Sequence, residues 1–125
     1  MASIVKAGIL KEALTQAYKS KHRYKVGAVI FKGSKIFSSG HNSVGYSRLL
    51  HPKFRRYINS LCAEKCAIIN AKKDLMGCSI LVVRITPADN LSMAKPCSTC
   101  MKYLDYVGIK NIYYTDHTGK ITKME

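Results

Sequence analysis

Three cysteines and a glutamate, spaced as Cys62-Ala63-Glu64 and Pro96-Cys97-Ser98-Thr99-Cys100, constrain the fold of this chain more than any other feature. A helix over the second motif puts Cys97 and Cys100 one turn apart on one face. Thiolates are zinc ligands. A catalytic zinc keeps three protein ligands and an open fourth position, whereas a structural zinc closes all four. With Cys62, Cys97 and Cys100 as the candidate ligands, the fold must bring the starts of two helices together across residues 63–96. Placed there, the thiolates face the positive ends of both helices, which helps three anions share one cation. Cys66 lies one turn after Cys62 and leaves a closed four-cysteine site as an alternative.

The pattern around these motifs alternates helix and strand. Apolar residues at three and four residue intervals predict a helix over 3–20. Residues 24–31 and 35–39 read as a hairpin turning at Lys32-Gly33-Ser34. Residues 42–60 have no clear period and read as a long flap. A second helix is expected over 62–73, ended by Asp74-Leu75-Met76-Gly77, and residues 79–86 are apolar enough to be a buried strand. After a loop at 87–95, a third helix over 97–107 stops at Gly108, and residues 111–115 and 120–123 close the chain as a hairpin.

A chain of 125 residues with 47% hydrophobic content builds one core, so residues 1–125 are expected to form a single domain. No run approaches eighteen apolar residues, and the first residues lack the apolar core of a secretory leader, so a cytoplasmic protein with no membrane partner is expected. Five cysteines, an odd number, point to metal rather than to a disulfide framework. Lys and Arg total 21 against seven acidic residues, a formal net charge of +14. That surplus attracts polyanions and phosphorylated molecules alike, or marks a lysine-rich surface with no partner.

The segment Leu61-Cys62-Ala63-Glu64-Lys65-Cys66-Ala67-Ile68 closely resembles the Cys-Ala-Glu-Arg-x-Ala-Ile segment of cytidine deaminases. With the Pro-Cys-x-x-Cys motif, the resemblance to the cytidine/deoxycytidylate deaminase superfamily, zinc-dependent nucleobase deaminases, extends over most of the chain. It implies an α/β, three-layer deaminase fold with a five-stranded mixed sheet and helices on its faces. Two branches of the superfamily differ in the last strand. Only four residues separate the last two strands here, too few for a crossover helix, so the last strand is expected to be antiparallel to its neighbour.

The resemblance also implies chemistry. Zn2+ held by Cys62, Cys97 and Cys100 would activate water, and Glu64 would carry protons without ligating. The backbone around Ala63 and Lys95 would contact the base. Three thiolates leave the metal site negative, which cytidine deaminases offset with an Arg after the Glu; Lys65 stands there, unless it is merely a solvated helix lysine. Asn42 is the sugar-contact candidate, with a turn-forming Asn as its alternative. Family members that take cytidine continue with a Glu, and this chain has Ser43-Val44 instead.

In the flap, Arg48, Lys53, Arg55 and Arg56 interleave with Tyr46, Phe54 and Tyr57. Lys53, Arg55 and Arg56 are candidates for phosphate pairing, unless the aromatics only anchor the flap and the charges are solvated. The reading preferred is a hydrolytic deaminase that converts cytosine to uracil in a phosphate-bearing substrate such as CMP or dCMP. One alternative is a deaminase of cytosine in single-stranded DNA or RNA, although without tryptophan the chain lacks the Ser-Trp-Ser-Pro-Cys pattern of the APOBEC polynucleotide deaminases. Another is a non-enzymatic basic four-cysteine zinc module that binds nucleic acid; Cys66 and Cys78 are more simply small core residues. Relatives commonly assemble as dimers or tetramers, so a homo-oligomer is also open to this chain.

Overall fold

In a computed structural model of the chain, residues 5–20, 25–42, 63–71, 74–96 and 98–124 are described, with Lys65, Ser98 and Thr99 given by backbone alone. The elements in chain order are α1 (Ala7–Lys19), β1 (Lys25–Lys32), β2 (Lys35–His41), α2 (Ala63–Ala71), β3 (Ser79–Ile85), β4 (Leu91–Ser92), α3 (Ser98–Val107), β5 (Asn111–Thr115) and β6 (Ile121–Lys123). The sheet runs in the order β2, β1, β3, β5, β6.

The central strand β3 explains its own sequence. Ile80 and Val82 pack into one core, and Leu81, Val83 and Ile85 into the other, so a strand covered on both faces shows no polar alternation. Its neighbour β1 divides the same way, with Ala28 and Ile30 on one side and Val29 and Phe31 on the other. Each large aliphatic side chain enclosed in this way stabilises the fold by about 1.5–3 kcal/mol relative to exposure.

The pairing is mixed. β1 is antiparallel to β2 and β3, β3 is parallel to β5, and β6 closes antiparallel to β5, as the short 116–120 connection requires. One expectation is corrected. The loop predicted at 87–95 contains β4, whose Leu91 and Ser92 pair with Ile85 and Arg84. The chain doubles back there because the Thr86 amide donates to the Asn90 carbonyl at 2.9 Å and the Asp89 amide to the Thr86 carbonyl at 2.9 Å. The first helix begins at Ala7, after the buried Val5, and β2 extends to His41, two residues past its predicted end.

Helix α1 covers one face of the sheet with Ile9, Ala13 and Ala17. It comes so close that a Cβ on Gly27 of β1 would run into the Ala13 carbonyl oxygen and lie 2.6 Å from the Ala17 amide nitrogen. Helices α2 and α3 cover the opposite face, with Ala63, Ala67, Ala71 and Leu104 in its core. Among the described residues no helix is long and apolar enough to cross a membrane.

Candidate active site

The direction of α2 follows from its contacts with β2. A Cβ on Gly40 would lie 2.6 Å from the Ala67 amide nitrogen, while the Ser38 hydroxyl donates to the Ala67 carbonyl at 2.6 Å. The helix therefore runs from the His41 end of β2 back toward Ser38. Ala63, four residues or about 6 Å before Ala67, stands over the end of the sheet where Asn42 lies. Asn70 fixes the other end of α2 by donating to the Ser39 carbonyl at 2.9 Å.

Helix α3 points the same way. Past its C-terminus the Lys110 amide donates to the Cys78 carbonyl at 2.7 Å, and Gly77 donates to the Gly108 carbonyl at 2.9 Å, which places that end beside the start of β3. Its N-terminus is thus at the other end, with Asn42 and the start of α2. Before it, Thr115 holds the incoming segment. This fully buried residue ends β5, donates from Oγ1 to the Ser92 carbonyl at 2.7 Å and accepts the Ala94 amide at 2.8 Å. Two positive helix ends meet over one edge of the sheet, an arrangement that favours anions.

Glu64 lies in the first turn of α2 and is 5% exposed; Cys100 lies in the first turn of α3 and is 1% exposed. Both stand one turn ahead of the place where Ile68 of α2 packs with Tyr103 of α3. Ala63 is fully buried, Pro96 is buried and Lys95 is exposed. Asn42 is oriented by β1: its amide donates to the Val26 carbonyl at 3.1 Å, its Oδ1 accepts the Val26 amide at 2.9 Å, and its carbonyl accepts the Ser20 hydroxyl at 3.0 Å. Cys62, Cys97, Lys53, Arg55 and Arg56 lie outside the described residues, as does the side chain of Lys65. Cys78 is buried in the core, and Cys66 packs beside Tyr103.

A family profile described as the cytidine and deoxycytidylate deaminase zinc-binding region matches residues 6–116. The chain belongs to the cytidine and deoxycytidylate deaminase family. A curated relative, the "Uncharacterized deaminase in luxG 3'region" of Aliivibrio fischeri, is 34% identical over 98 residues, 75% of this chain and 60% of the relative. The chain thus spans about 60% of that relative's length. Among solved structures, the dCMP deaminase of cyanophage S-TIM5 is similar with a TM-score of 0.66 at 24% identity, covering 94% of this chain and 87% of the phage protein. The cytidine deaminase of Burkholderia pseudomallei gives 0.68 at 20% identity, covering 98% and 93%. At these identities the two structures share the fold with this member of the deaminase family.

The family is described by its zinc-binding region. Among the described residues no three His, Cys, Asp or Glu side chains are gathered, and two of the three expected ligands lie outside them. The enclosed sulfur of Cys100 in the first turn of a helix is a soft donor of the kind zinc takes.

Sequence reasoning passed over two residues of this edge. Thr115 gave no signal, because its two hydrogen bonds reach residues far away in the chain. Arg84 did give one: it is the only charged residue in Ser79–Ile85. By the alternation of β3 it is on the face of Ile80 and Val82, in a row with Val26 and Ser92.

Proposed function

We propose that this chain is a zinc-dependent hydrolytic deaminase that converts cytosine to uracil, with release of ammonia, in a phosphate-bearing substrate such as CMP or dCMP. The observation that carries the reading is the enclosure of Glu64 and Cys100 in the first turns of two helices that start at the same edge of the sheet. Residues 1–125 act as one deaminase domain in this proposal. Cys62, Cys97 and Cys100 would hold the zinc, and Lys65 would offset the thiolate charge. When bound, the ion supplies the Lewis acidity that lets water act as a nucleophile near neutral pH.

The remaining work belongs to the chain. The Glu64 carboxylate takes a proton from the water that attacks the amino-bearing carbon of the ring. It passes that proton to the adjacent ring nitrogen, then takes the second proton from the hydroxyl added to the ring carbon and gives it to the amino group, so that the carbonyl forms as the C–N bond breaks and ammonia leaves. Burial of Glu64 and Ala63 excludes competing water from this exchange. The backbone at Ala63 and Lys95 holds the base edge, and the Asn42 side chain, aimed by its bond to Val26, faces the sugar.

The phosphate preference rests on the +14 charge, on Lys53, Arg55 and Arg56 in the flap, and on the absence of the acidic residue expected of a cytidine enzyme after Asn42. The same charge also suits single-stranded nucleic acid. Deamination of cytidine, deoxycytidine, CMP, dCMP and cytosine-containing single-stranded DNA and RNA, each at low and moderate salt, decides between them. Turnover of a monophosphate with a shallow salt slope is expected. Deamination of a polymer with a steep slope, about −0.7 per phosphate neutralised, selects the nucleic-acid enzyme. Neutralising Lys53, Arg55 and Arg56 together raises KM for dCMP and spares deoxycytidine if the flap grips phosphate; equal behaviour on both substrates overturns that role.

A further inference from the structure

β4 and β5 share one lane of the sheet and meet end on. Arg84 and Ile85 pair with Val26 and Lys25 of β1 on one flank of β3, so Ser92 and Leu91, which pair with the same two residues, lie on the flank that β5 occupies. β5 fills that flank as far as Tyr114, opposite Val82, and runs parallel to β3, whereas β4 runs antiparallel to it. The chain leaving Ser92 therefore heads at the tip of β5 and has to quit the sheet.

Thr115 is the residue it meets. Fully buried, it offers the oncoming chain both a donor and an acceptor. Its Oγ1 donates to the Ser92 carbonyl at 2.7 Å, and its carbonyl accepts the Ala94 amide at 2.8 Å. Backbone groups that leave a ladder under cover need partners of this kind. Ala94 then joins the core shared by Ala63, Ala67 and Leu104, beneath α2 and α3.

The link that follows is short. Lys95, Pro96 and Cys97 alone separate Ala94 from Ser98, the first residue of α3. A link of this length reaches at most about 14 Å even when fully extended. Proline fixes its own φ, which removes slack from it. A shift at Ala94 is therefore passed to the start of α3, where Cys100 is enclosed.

We propose that Thr115 is a positioning residue for the deaminase site: from behind the cleft it sets the height at which the Lys95 backbone and the first turn of α3 are presented to the base and to the metal. The inference rests on the functional reading above and adds to it a residue outside both cysteine motifs. Thr115 acts through the 92–96 strap, without touching substrate. Groups that hold metal ligands in place typically carry about 10–100-fold in metal affinity or activity. A misplacement of about 1 Å at the reacting centre costs about 10²-fold in rate.

The test compares wild type with Thr115→Val, which keeps the β-branched shape and removes the donor, and with Thr115→Ser, which keeps the donor. Ile9→Val, in α1 on the opposite face, controls for a loss of stability alone. Zinc affinity is read by competition with a chromophoric chelator, kcat and KM on the cytosine substrate that wild type turns over best, and melting temperature alongside. Thr115→Val is expected to weaken zinc about tenfold or more. With zinc saturating, its kcat should fall about tenfold or more while KM stays within about threefold, because the Asn42 and flap contacts are untouched. Thr115→Ser should recover most of both losses. Ile9→Val should also melt lower, with zinc affinity and kcat within about twofold of wild type.

Wild-type zinc affinity and kcat in Thr115→Val would overturn the proposal. So would a Thr115→Ser protein no better than Thr115→Val, or equal losses in Ile9→Val. Thr115→Ala carries the same expectations should Thr115→Val not fold. A wild type that holds zinc but deaminates no cytosine substrate defeats the functional reading, and the zinc affinities alone then decide on Thr115. A wild type that holds no zinc overturns both.

Discussion

Ala67 packs so tightly over Gly40 that a methyl group on the glycine would come within 2.6 Å of the Ala67 amide nitrogen and 2.7 Å of the Cys66 Cβ. Backbone cannot retreat as a flexible side chain can, so Gly40→Ala must push α2 off the sheet. A cost of about 1–3 kcal/mol is expected from overpacking of this kind. Because Glu64 is carried on the first turn of the displaced helix, kcat should fall as well. Urea denaturation and steady-state kinetics on the same preparation check both; a variant with wild-type stability would refute the tight seat of α2.

Glu64→Ala should keep the fold and the zinc yet lose turnover by about 10²–10⁴-fold, the scale of a removed acid and base. Circular dichroism, metal analysis and deamination assays separate the three quantities. Near wild-type turnover would end the proton-carrying role.

Cys66 packs beside Tyr103, and its Cβ faces Gly40, so Cys66→Ser is expected to leave one zinc per chain and turnover within a few fold. Cys100→Ser should lose the metal. Loss of zinc in Cys66→Ser would instead support the closed four-cysteine site.

Asp116 organises the closing hairpin. The Thr118 hydroxyl at 2.6 Å leads the groups that stabilise its carboxylate, with the Thr118 and Lys120 amides and the Thr122 hydroxyl adding to it. Together they hold its pKa down at about 2, against 3.8 for an ordinary Asp. A depressed carboxylate contributes stability that is present above the unfolded value and lost as pH falls through the folded one. Melting temperature should therefore show an Asp116 contribution that disappears as pH falls from about 4 to about 2. Asp116→Asn should abolish that part of the pH dependence, and an unchanged profile would show that the turn does not depend on the charge.

Most elements were legible in the sequence, because their signals are local. The apolar run of β3, the spacing of Ile9, Ala13 and Ala17, and the stop at Gly108 are each written within a few residues. The short 116–120 connection likewise set the antiparallel closing strand. The pairing of β4 was not legible. Leu91 and Ser92 have no strand signal of their own and become a strand only because the turn before them folds them onto Ile85 and Arg84.

The motif residues around Glu64 and Cys100 carried the resemblance to the deaminase family to which the matching profile assigns the chain. The sequence alone determined those residues, the surplus of positive charge and the order of helices and strands. Only the tertiary structure decided that α2 and α3 start at the same edge of the sheet, through Gly40, Ser38 and the Lys110 to Cys78 bond. It alone put Arg84 beside the anchor of Asn42 and Thr115 behind the segment leading to Pro96. Those relationships depend on strand register and on the direction in which each helix crosses the sheet. Both are set by contacts between residues far apart in the chain, which no local pattern records.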